Sequence, residues 1–292
     1  MLLCRWFFVA YGFVVFKVIR MDPKVILITG ASGGMGYRAA EALAKQGHIV
    51  YGAARRVEKI APLISCGVHP LRLDVTDADS CTAVVKRVIG EQGRIDVLVN
   101  NAGYGSFGAI EDVTSDEAHH QFEVNVFGLV ELTKKVLPYM RMKGRGRIIN
   151  VGSVGGRLVS YLGGWYHATK YSVEALSDAL RMELGDFGID VVLIEPGFIK
   201  TNWPYIAADH LEASSRGGVY EHRAVETARN IRGIYNGPIA SRPSVVVKAI
   251  LKAVNVRRPK TRYLVGAGAH AGVFWHSVLP TRVFDFIIKR MM

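Results

Sequence analysis

The residues Val25-Ile-Leu-Ile-Thr-Gly30-Ala-Ser-Gly-Gly34-Met-Gly36 decide the fold, because an apolar run of strand length leads directly into a glycine-rich turn and then a helical pattern. Glycines let the backbone turn sharply and approach a pyrophosphate, whose charge the free N–H groups at the start of the next helix stabilise. Three residues separate Gly30 from Gly34 and one separates Gly34 from Gly36, which differs from the common G-x-G-x-x-G spacing. Taken alone, the motif leaves open a turn that binds nothing.

Downstream of this turn, short apolar runs alternate with segments of helical period, which predicts βαβ units around a buried parallel sheet. The predicted strands are 25–28, 49–53, 69–73, 97–100, 147–151, 191–194 and 262–265, and the predicted helices are 36–46, 78–89, 115–142, 166–186 and 243–256. Right-handed crossovers would wind them into an α/β fold, a doubly wound, seven-stranded parallel Rossmann sheet in a three-layer αβα sandwich. We place the catalytic domain at 21–265, with an irregular substrate loop at 198–240.

Composition and charge limit the possible functions. Half of the 292 residues are hydrophobic, enough for the core of one α/β domain, and Lys plus Arg exceed Asp plus Glu by 12. That excess fits an anionic cofactor, an anionic membrane face or a solubilising surface. Basic residues do not alternate with aromatics in any run, so we expect no nucleic-acid partner. The cysteines Cys4, Cys66 and Cys81 lack metal-ligand spacing, so we predict no metal site and a reduced, cytoplasmic protein.

The first twenty residues raise a separate question. An uncharged stretch at 6–16, between Arg5 and Lys17, is shorter than the roughly 20 residues that a bilayer crossing needs. No small-residue cleavage pattern precedes Met21, which argues against a secretory signal. Residues 1–20 are therefore either a short interfacial anchor or, as we favour, a leader upstream of a start at Met21.

The second predicted strand is followed by Ala54-Arg55-Arg56. An NAD enzyme of this architecture would usually place an acid there to hold the ribose hydroxyls. A guanidinium instead favours a 2′-phosphate through charge-assisted hydrogen bonds, so Arg55 predicts NADP(H) in preference to NAD(H). The alternative is two solvated arginines at the start of a helix.

The strongest local signal is Tyr166-His167-Ala168-Thr169-Lys170, at the start of a predicted helix. Residues four apart share a helix face, so the Lys170 ammonium should lie beside the Tyr166 phenol, whose usual pKa is about 10. We therefore expect a lowered pKa for Tyr166 and a role as acid and base during hydride transfer. Ser153, which follows a predicted strand, would hydrogen-bond the substrate oxygen. Each residue alone also fits an ordinary role on a solvated helix or in a turn.

These motifs follow one another in an order that resembles the short-chain dehydrogenase/reductase family from Val25 to Val265. The similar segments are Thr29-Gly30-x-x-x-Gly34-x-Gly36 for the dinucleotide loop, Asp74 for the adenine contact, Asn100-Asn101-Ala102-Gly103 for the strand-four motif and Pro196-Gly197 for the nicotinamide-side turn. The resemblance implies a cofactor site formed by Gly30, Ser32, Gly34, Met35, Gly36, Arg55, Asp74, Val75, Asn101, Ala102, Gly103, Tyr166, Lys170, Pro196, Gly197, Ile199 and Thr201.

The same resemblance implies four catalytic residues. Tyr166 would be the acid in reduction and the base in oxidation, and Ser153 would polarise the carbonyl oxygen. Lys170 would lower the tyrosine pKa and bind the nicotinamide ribose, while Asn125 would help to hold a water that links Lys170 to solvent. Thr201 is expected to contact the carboxamide or the phosphates of the cofactor.

Residues 50–56 and 101–105 are similar to the branch of the family that includes 17β-hydroxysteroid dehydrogenases and related retinoid, lipid and keto reductases. The resemblance implies an NADP(H)-dependent enzyme that reduces a carbonyl, or oxidises the alcohol, of an apolar steroid-, retinoid- or lipid-like substrate. The side chains expected to line its pocket are Trp203, Tyr205, His210, Leu211 and Tyr220.

Other functions stay open, namely a catalytically silent NADPH-binding regulator and a reductase of small ketones or aldehydes. An extended-family epimerase or dehydratase fits poorly, because it would need a longer C-terminal part. Residues 266–292 mix apolar and basic side chains. We expect this segment to cover the substrate entrance, to rest on a membrane surface or, as we favour, to pack as a helix on the domain or on a partner subunit. The resemblance also implies a homodimer or homotetramer, with peripheral membrane contact through either terminus as an option.

Overall fold

Seven parallel strands form one sheet in residues 22–291, the part of the chain that the computed structural model describes. The strands are β1 (Val25–Thr29), β2 (Ile49–Ala54), β3 (Val68–Arg72), β4 (Val97–Asn100), β5 (Gly146–Val151), β6 (Ile189–Pro196) and β7 (Arg262–Val265). Their order across the sheet is β3-β2-β1-β4-β5-β6-β7. The prediction of a doubly wound, seven-stranded parallel sheet is confirmed, while the interpretation of residues 1–20 as a leader or an anchor lies outside the described residues.

Ten α-helices accompany the sheet in the described part of the chain. They are α1 (Gly34–Lys45), α2 (Ala78–Gln92), α3 (Ser115–Phe122), α4 (Gly128–Lys143), α5 (Gly164–Leu184), α6 (Trp203–Ser214), α7 (Glu221–Asn236), α8 (Ser244–Asn255), α9 (Ala269–Val278) and α10 (Thr281–Met291). Within residues 22–291, none of the helices has the length and hydropathy that a membrane crossing would need.

Alternation along β1 explains the three layers. Ile26 points to one face of the sheet, where it packs in a cluster with Leu43 of α1 and Ile250 of α8. Leu27 points to the other face and packs with Leu132 of α4. All of these side chains are fully buried, and each contributes roughly 1.5–3 kcal/mol through the hydrophobic effect. A strand that is apolar on both faces therefore requires helices on both faces.

The prediction of a single continuous helix over 115–142 is wrong in one respect. The structure divides it into α3 and α4, which are joined by a π-helical turn at Glu123–Phe127. Asn125 lies in this turn, and its side chain bonds the backbone of Tyr104. Wider turns of this kind are frequent at functional sites.

The prediction of an irregular loop over 198–240 is also wrong, because this segment forms α6 and α7, which pack on each other. Ala224, Ala228 and Ile231 of α7 are buried at helical spacing, but two of the three are small and the helix is otherwise polar. The Gly and Ser residues that suggested an irregular loop are concentrated at 214–218, between the two helices.

The C-terminal extension forms α9 and α10 after β7. Helix α10 packs on α9 through Phe284, whose ring meets that of His276 at a centroid distance of 4.9 Å. Phe284 is buried, whereas most other residues of the two helices are exposed. The extension therefore packs on the domain as a pair of helices that leave much of their apolar surface open.

Candidate active site

The carboxyl ends of four neighbouring strands bring the predicted site residues to one edge of the sheet. Gly30 follows β1, Asn101 follows β4, Ser153 lies just beyond β5 and Gly197 follows β6. In an open parallel sheet this edge binds ligands in the crevice where the strand order reverses, and here the reversal lies between β1 and β4.

The glycine turn has a backbone that other residues would strain or block. Gly34 has a φ of +56°, in the left-handed region, at the first position of α1. A side chain at Gly36 would come within 2.6 Å of the backbone oxygen of Gly30 and would collide with the amide of Asn101. Glycine at these positions therefore allows α1 to begin directly against the turn, with its free N–H groups at the crevice.

The surroundings of this turn fit a dinucleotide. The Thr29 hydroxyl accepts hydrogen bonds from the backbone N–H groups of Asn101, at 3.0 Å, and Ala102, at 2.9 Å, which fixes the β4 loop beside the turn. The Asn101 Oδ1 is buried and has no hydrogen-bond partner among the described residues. A Cβ added at Gly33 or Gly34 would meet nothing within 4 Å. The residues thus provide open space for a pyrophosphate and an unpaired acceptor for a ligand donor.

Three predicted adenosine-end residues lie beyond the glycine turn. Arg55 directly follows β2 and is exposed, and no ion pair within residues 22–291 involves it. The Asp74 Oδ1 accepts hydrogen bonds from the backbone N–H and the hydroxyl of Thr76, at 3.1 and 2.8 Å. Val75 is half-buried, as is Ser32 within the glycine turn itself. Arg55 is therefore free to meet a ligand anion, whereas the Asp74 carboxylate is partly used by its own loop.

Tyr166, Ser153 and Lys170 come together as predicted. The Ser153 hydroxyl lies close enough to the Tyr166 phenol to influence its pKa, and Ser153 Oγ accepts a hydrogen bond from the N–H of Gly155 at 3.0 Å. The Lys170 Nζ lies 6.0 Å from the centre of the Tyr166 ring and donates to the Val151 oxygen at 3.2 Å. Two hydroxyls and a buried ammonium thus share one small region at the end of β5.

The prediction of a lowered pKa for Tyr166 is wrong. Burial raises the pKa of Tyr166 to about 12, although the nearby Ser153 hydroxyl acts in the opposite direction. Burial also lowers the pKa of Lys170 to about 8, with Glu174 acting against that shift. The physical reason is that the charged forms of both buried groups lose solvation, which is the largest cause of each shift. The phenol is consequently held neutral, as a proton donor.

Asn125 is close to this group but is occupied by the loop next to it. Its Nδ2 donates to the Tyr104 oxygen at 2.8 Å and to the Thr169 Oγ1 at 3.1 Å, and its Oδ1 accepts from the Tyr104 N–H at 3.0 Å. A Cβ at Gly103 would lie 2.9 Å from Asn125 Oδ1 and 3.9 Å from Lys170 Nζ. The asparagine therefore fixes the loop that separates it from Lys170.

His167 is a site residue that sequence reasoning missed. Its buried ring is hydrogen-bonded at both nitrogens: Nδ1 donates to the Gly155 oxygen at 2.8 Å, and Nε2 accepts from the Ser160 N–H at 2.9 Å. Burial lowers the pKa of His167, which keeps the ring neutral. The only sequence signal was its position beside Tyr166 on a helix that begins at the site. Its contacts hold the segment after Ser153 against α5.

A cavity of about 630 Å³ adjoins these groups. The predicted site residues on its wall are Met35, Asn101, Gly103, Ser153, Tyr166, Lys170, Pro196, Gly197, Ile199 and Thr201. The wall residues contributed by the C-terminal extension include Trp275, Leu279, Phe284, Ile287, Ile288 and Met291. One cavity therefore extends from the glycine turn past the phenol to α10.

The residues expected to line the substrate pocket were mostly wrong. Among the described residues, Trp203 alone of the five predicted ones lies on the wall of this cavity. Leu211 is in the core between α6 and α7, and Tyr220 borders a second, separate cavity. Their places are taken by residues of α7, namely Ile231, Ile234 and Tyr235. The helical structure of this segment decides which side chains face the cavity. The prediction of an irregular loop could therefore not identify them.

Comparison with known proteins agrees with this arrangement. Residues 24–206 match the family described as short chain dehydrogenase. A 3-ketodihydrosphingosine reductase from Bacteroides thetaiotaomicron is 41% identical over 251 residues, which cover 84% of this chain and 89% of that protein. The crystal structure of a short-chain dehydrogenase from Streptomyces avermitilis is 34% identical, with a TM-score of 0.76, and the match covers 88% of this chain and 93% of that chain.

Solved structures of similar fold include complexes with nicotinamide dinucleotides. An alcohol dehydrogenase from the archaeon Thermococcus sibiricus, complexed with 5-hydroxy-NADP, is 25% identical with a TM-score of 0.67. That match covers 85% of this chain and 98% of the archaeal chain. Another structure of similar fold is a complex with NAD.

Proposed function

Because this chain belongs to the short-chain dehydrogenase family of oxidoreductases, we propose that it uses NADPH to reduce the carbonyl group of an apolar, lipid-like substrate. The observation that carries the proposal is the single cavity, about 630 Å³ in volume, that contains both the Tyr166 and Ser153 side chains and the apolar wall of the C-terminal helices. A long apolar chain bound along that wall would have its carbonyl group at the two hydroxyls.

The chemistry assigned to the residues follows from their protonation. The bound dinucleotide would supply the hydride. The Tyr166 phenol, whose pKa is raised to about 12, carries the proton that the reduced oxygen needs, and Ser153 is the second donor to that oxygen. Lys170, whose pKa is lowered to about 8, can exchange a proton near neutral pH. A neutral phenol favours reduction as the working direction, and the reverse oxidation would need its proton removed.

The preference for NADPH rests on the residues after β2. Arg55 is exposed there, and the adjacent positions 54 and 56 hold Ala and Arg in place of an acid. A guanidinium can bind a 2′-phosphate with two parallel hydrogen bonds, while the ribose diol of NAD would find no carboxylate at this point. Asn101, Lys170 and Thr201 are proposed to hold the nicotinamide half, since all three lie on the cavity wall.

The substrate class follows from the wall beyond the phenol. Phe107 and Trp203 contact the Tyr166 ring, Tyr235 lies on the same cavity wall, and residues of α9 and α10 continue the apolar surface. The name of the Bacteroides relative assigns to it the reduction of 3-ketodihydrosphingosine, a keto lipid. A ketone attached to a long alkyl chain is therefore our first choice, ahead of steroids, retinoids and small aldehydes. A silent regulator would leave the assembled Ser153 and Tyr166 pair unused.

The test is NADPH oxidation by the purified full chain with a series of ketones of increasing alkyl length, beside steroid, retinoid and small-aldehyde panels. We expect kcat/KM to rise at least tenfold from short to long chains. Tyr166→Phe should reduce kcat by 10²–10⁴-fold and leave NADPH binding nearly unchanged. Tyr171→Phe is the matched control, because Tyr171 is on the same helix but 39% exposed. Equal kcat/KM for short and long ketones, or no turnover of any carbonyl, would contradict the proposal.

A further inference from the structure

The two C-terminal helices carry an unusual density of exposed apolar side chains. Seven of the 19 exposed large hydrophobic residues among the described part of the chain lie within residues 274–291. Four of them do not contribute to the cavity wall, and we call this set the apolar collar: Phe274, Val278, Val283 and Phe286. Phe274, Val278 and Phe286 are each more than half exposed. Apolar surface concentrated in this way marks an interaction site more often than a solvent-facing surface.

The collar adjoins the substrate cavity. Trp275, Ile287 and Met291 are 40–53% exposed and also lie on the cavity wall, so the same helices present apolar groups both inward and outward. The Phe274 and Trp275 rings are in edge contact at 5.2 Å, which links the collar to the wall. Whatever covers the collar is therefore next to the route by which an apolar molecule would reach Tyr166.

Basic groups accompany the collar. Arg282, Lys289 and Arg290 lie on α10 together with one acid, Asp285. The Arg290 guanidinium lies 4.6 Å from the centre of the Phe286 ring, and all three basic residues are exposed. No ion pair within residues 22–291 involves any of the three. The helix thus presents apolar and unpaired cationic groups together, which is the composition of helices that lie in a membrane interface.

The charge distinguishes between two possible occupants. In a symmetric dimer the same patch meets itself, so a second copy would bring these like charges close together at an apolar interface. Anionic lipid headgroups would instead neutralise them, and each basic residue near such a surface adds to the attraction. The chain as a whole carries an excess of 12 basic over acidic residues, which favours the same partner.

We propose that α9 and α10 dock on an anionic membrane surface, with the apolar collar in the headgroup–acyl boundary and the cavity open to the lipid. The enzyme would then take its substrate from the membrane. The identity of the substrate as a lipid rests on the proposed function, whereas the docking itself rests on the collar and its charges.

The test is co-sedimentation of the full chain with vesicles of phosphatidylcholine alone or with phosphatidylserine, without substrate or cofactor. We expect binding that requires phosphatidylserine and weakens at high salt. The triple variant Phe274→Ser/Val278→Ser/Phe286→Ser should bind at least tenfold more weakly. The control Met142→Ser/Met182→Ser/Val219→Ser removes comparable side chains that are 71–87% exposed elsewhere, and it should bind like the original protein.

A second variant tests the charges. Arg282→Glu/Arg290→Glu should abolish the difference between the two vesicle compositions. Slower hydrogen exchange over residues 274–291 in the presence of vesicles would place the contact on these helices. Both variants must keep the unfolding temperature and the NADPH affinity of the original protein, so that loss of vesicle binding is not loss of the fold.

Three outcomes would overturn docking: no vesicle binding by the original protein, equal binding by the collar and control variants, or a collar variant that changes only the oligomeric mass in solution. The last result would assign the collar to a second copy of this chain. Because the assay contains no substrate, vesicle binding that depends on the collar would stand even if no carbonyl compound were turned over. In that case the proposed function alone would fail.

Discussion

His167 donates a hydrogen bond from Nδ1 to the backbone oxygen of Gly155, at 2.8 Å, and so connects the helix of the candidate acid to the segment that follows Ser153. The other ring nitrogen accepts from the backbone of Ser160. The neutral imidazole therefore bonds two points, Gly155 and Ser160, of the segment that follows Ser153, the residue proposed to bind the substrate oxygen. This contact fixes the distance between the two hydroxyls without touching either of them.

Replacing that ring should impair turnover more than binding. His167→Phe keeps the size of the side chain but leaves the Gly155 oxygen and the Ser160 N–H without their partner, so we expect kcat to fall about 10- to 100-fold. The KM for NADPH should change less than threefold, because the glycine turn is on another strand. His167→Asn should recover part of kcat by restoring one hydrogen bond. Steady-state kinetics with a saturating ketone would measure each value.

His270→Phe is the appropriate control for this variant, since His270 is exposed at the beginning of α9. A kcat for His167→Phe that matches the control would remove the positioning role. If KM rises while kcat and the unfolding temperature fall, with no recovery in His167→Asn, the role of His167 is structural and not positional.

Lys170 should make stability depend on pH in the alkaline range. Its ordinary pKa is 10.5, and burial lowers it to about 8 in the folded protein, so between these values the unfolded chain binds a proton that the folded chain has released. The free energy of unfolding should therefore rise as pH increases from about 8 to 10.5, by about 3 kcal/mol from this group. Denaturant unfolding of the original protein and of Lys170→Met, at matched pH values, isolates the contribution. Parallel curves for the two proteins would contradict the assignment.

Glu174 should have an opposite effect at lower pH. Its Oε2 accepts a hydrogen bond from Arg262 at 2.9 Å, and burial together with the neighbouring Glu195 carboxylate raises the pKa of Glu174 to about 7. Because the folded protein retains this proton where the unfolded chain has lost it, stability should decline as pH rises from about 4.5 to 7. The decline should be on the order of 2 kcal/mol.

Glu174→Gln resembles the protonated acid and should remove that decline, so that the variant is more stable than the original protein at pH 8. Glu183→Gln on the same helix is the control for loss of one carboxylate, because Glu183 is exposed. Unfolding curves at pH 5, 6, 7 and 8 would decide. An equal decline in Glu174→Gln would show that another group is responsible.

The sheet could be predicted because its central strands, β1, β4, β5 and β6, are short apolar runs that are buried on both faces. Ile26 and Leu27 point to opposite faces of the sheet, yet both are fully buried. The apolar run that marks such a strand can therefore be recognised in the sequence without knowing which helices pack on each face. The same holds for Tyr166 and Lys170, whose spacing on one helix is a local property. These features follow from periodicity and from glycine, and they needed no knowledge of neighbouring elements.

The substrate end of the cavity could not be predicted in the same way. Ala224, Ala228 and Ile231 give α7 a weak apolar face, and the side chains that line the cavity depend on how that helix packs on α6. The pKa of Tyr166 was expected to fall because the adjacent charge was visible in the sequence, whereas the burial that raises it was not. Burial is a property of the assembled fold, and it decided the sign of the shift.

Cofactor preference offers a final test that depends on a single exposed side chain. Arg55 follows β2 with no carboxylate partner among the described residues, so a 2′-phosphate at this position would gain a charge-assisted hydrogen bond. Arg55→Asp replaces that donor with an acceptor suited to ribose hydroxyls and adds repulsion against a phosphate. We expect the ratio of kcat/KM for NADPH to that for NADH to fall 10- to 1000-fold. Arg56→Asp makes the same charge change at the next exposed position and should alter the ratio less than threefold. A ratio that stays constant in Arg55→Asp, or falls equally in both variants, would refute a specific contact and leave only a general effect of surface charge.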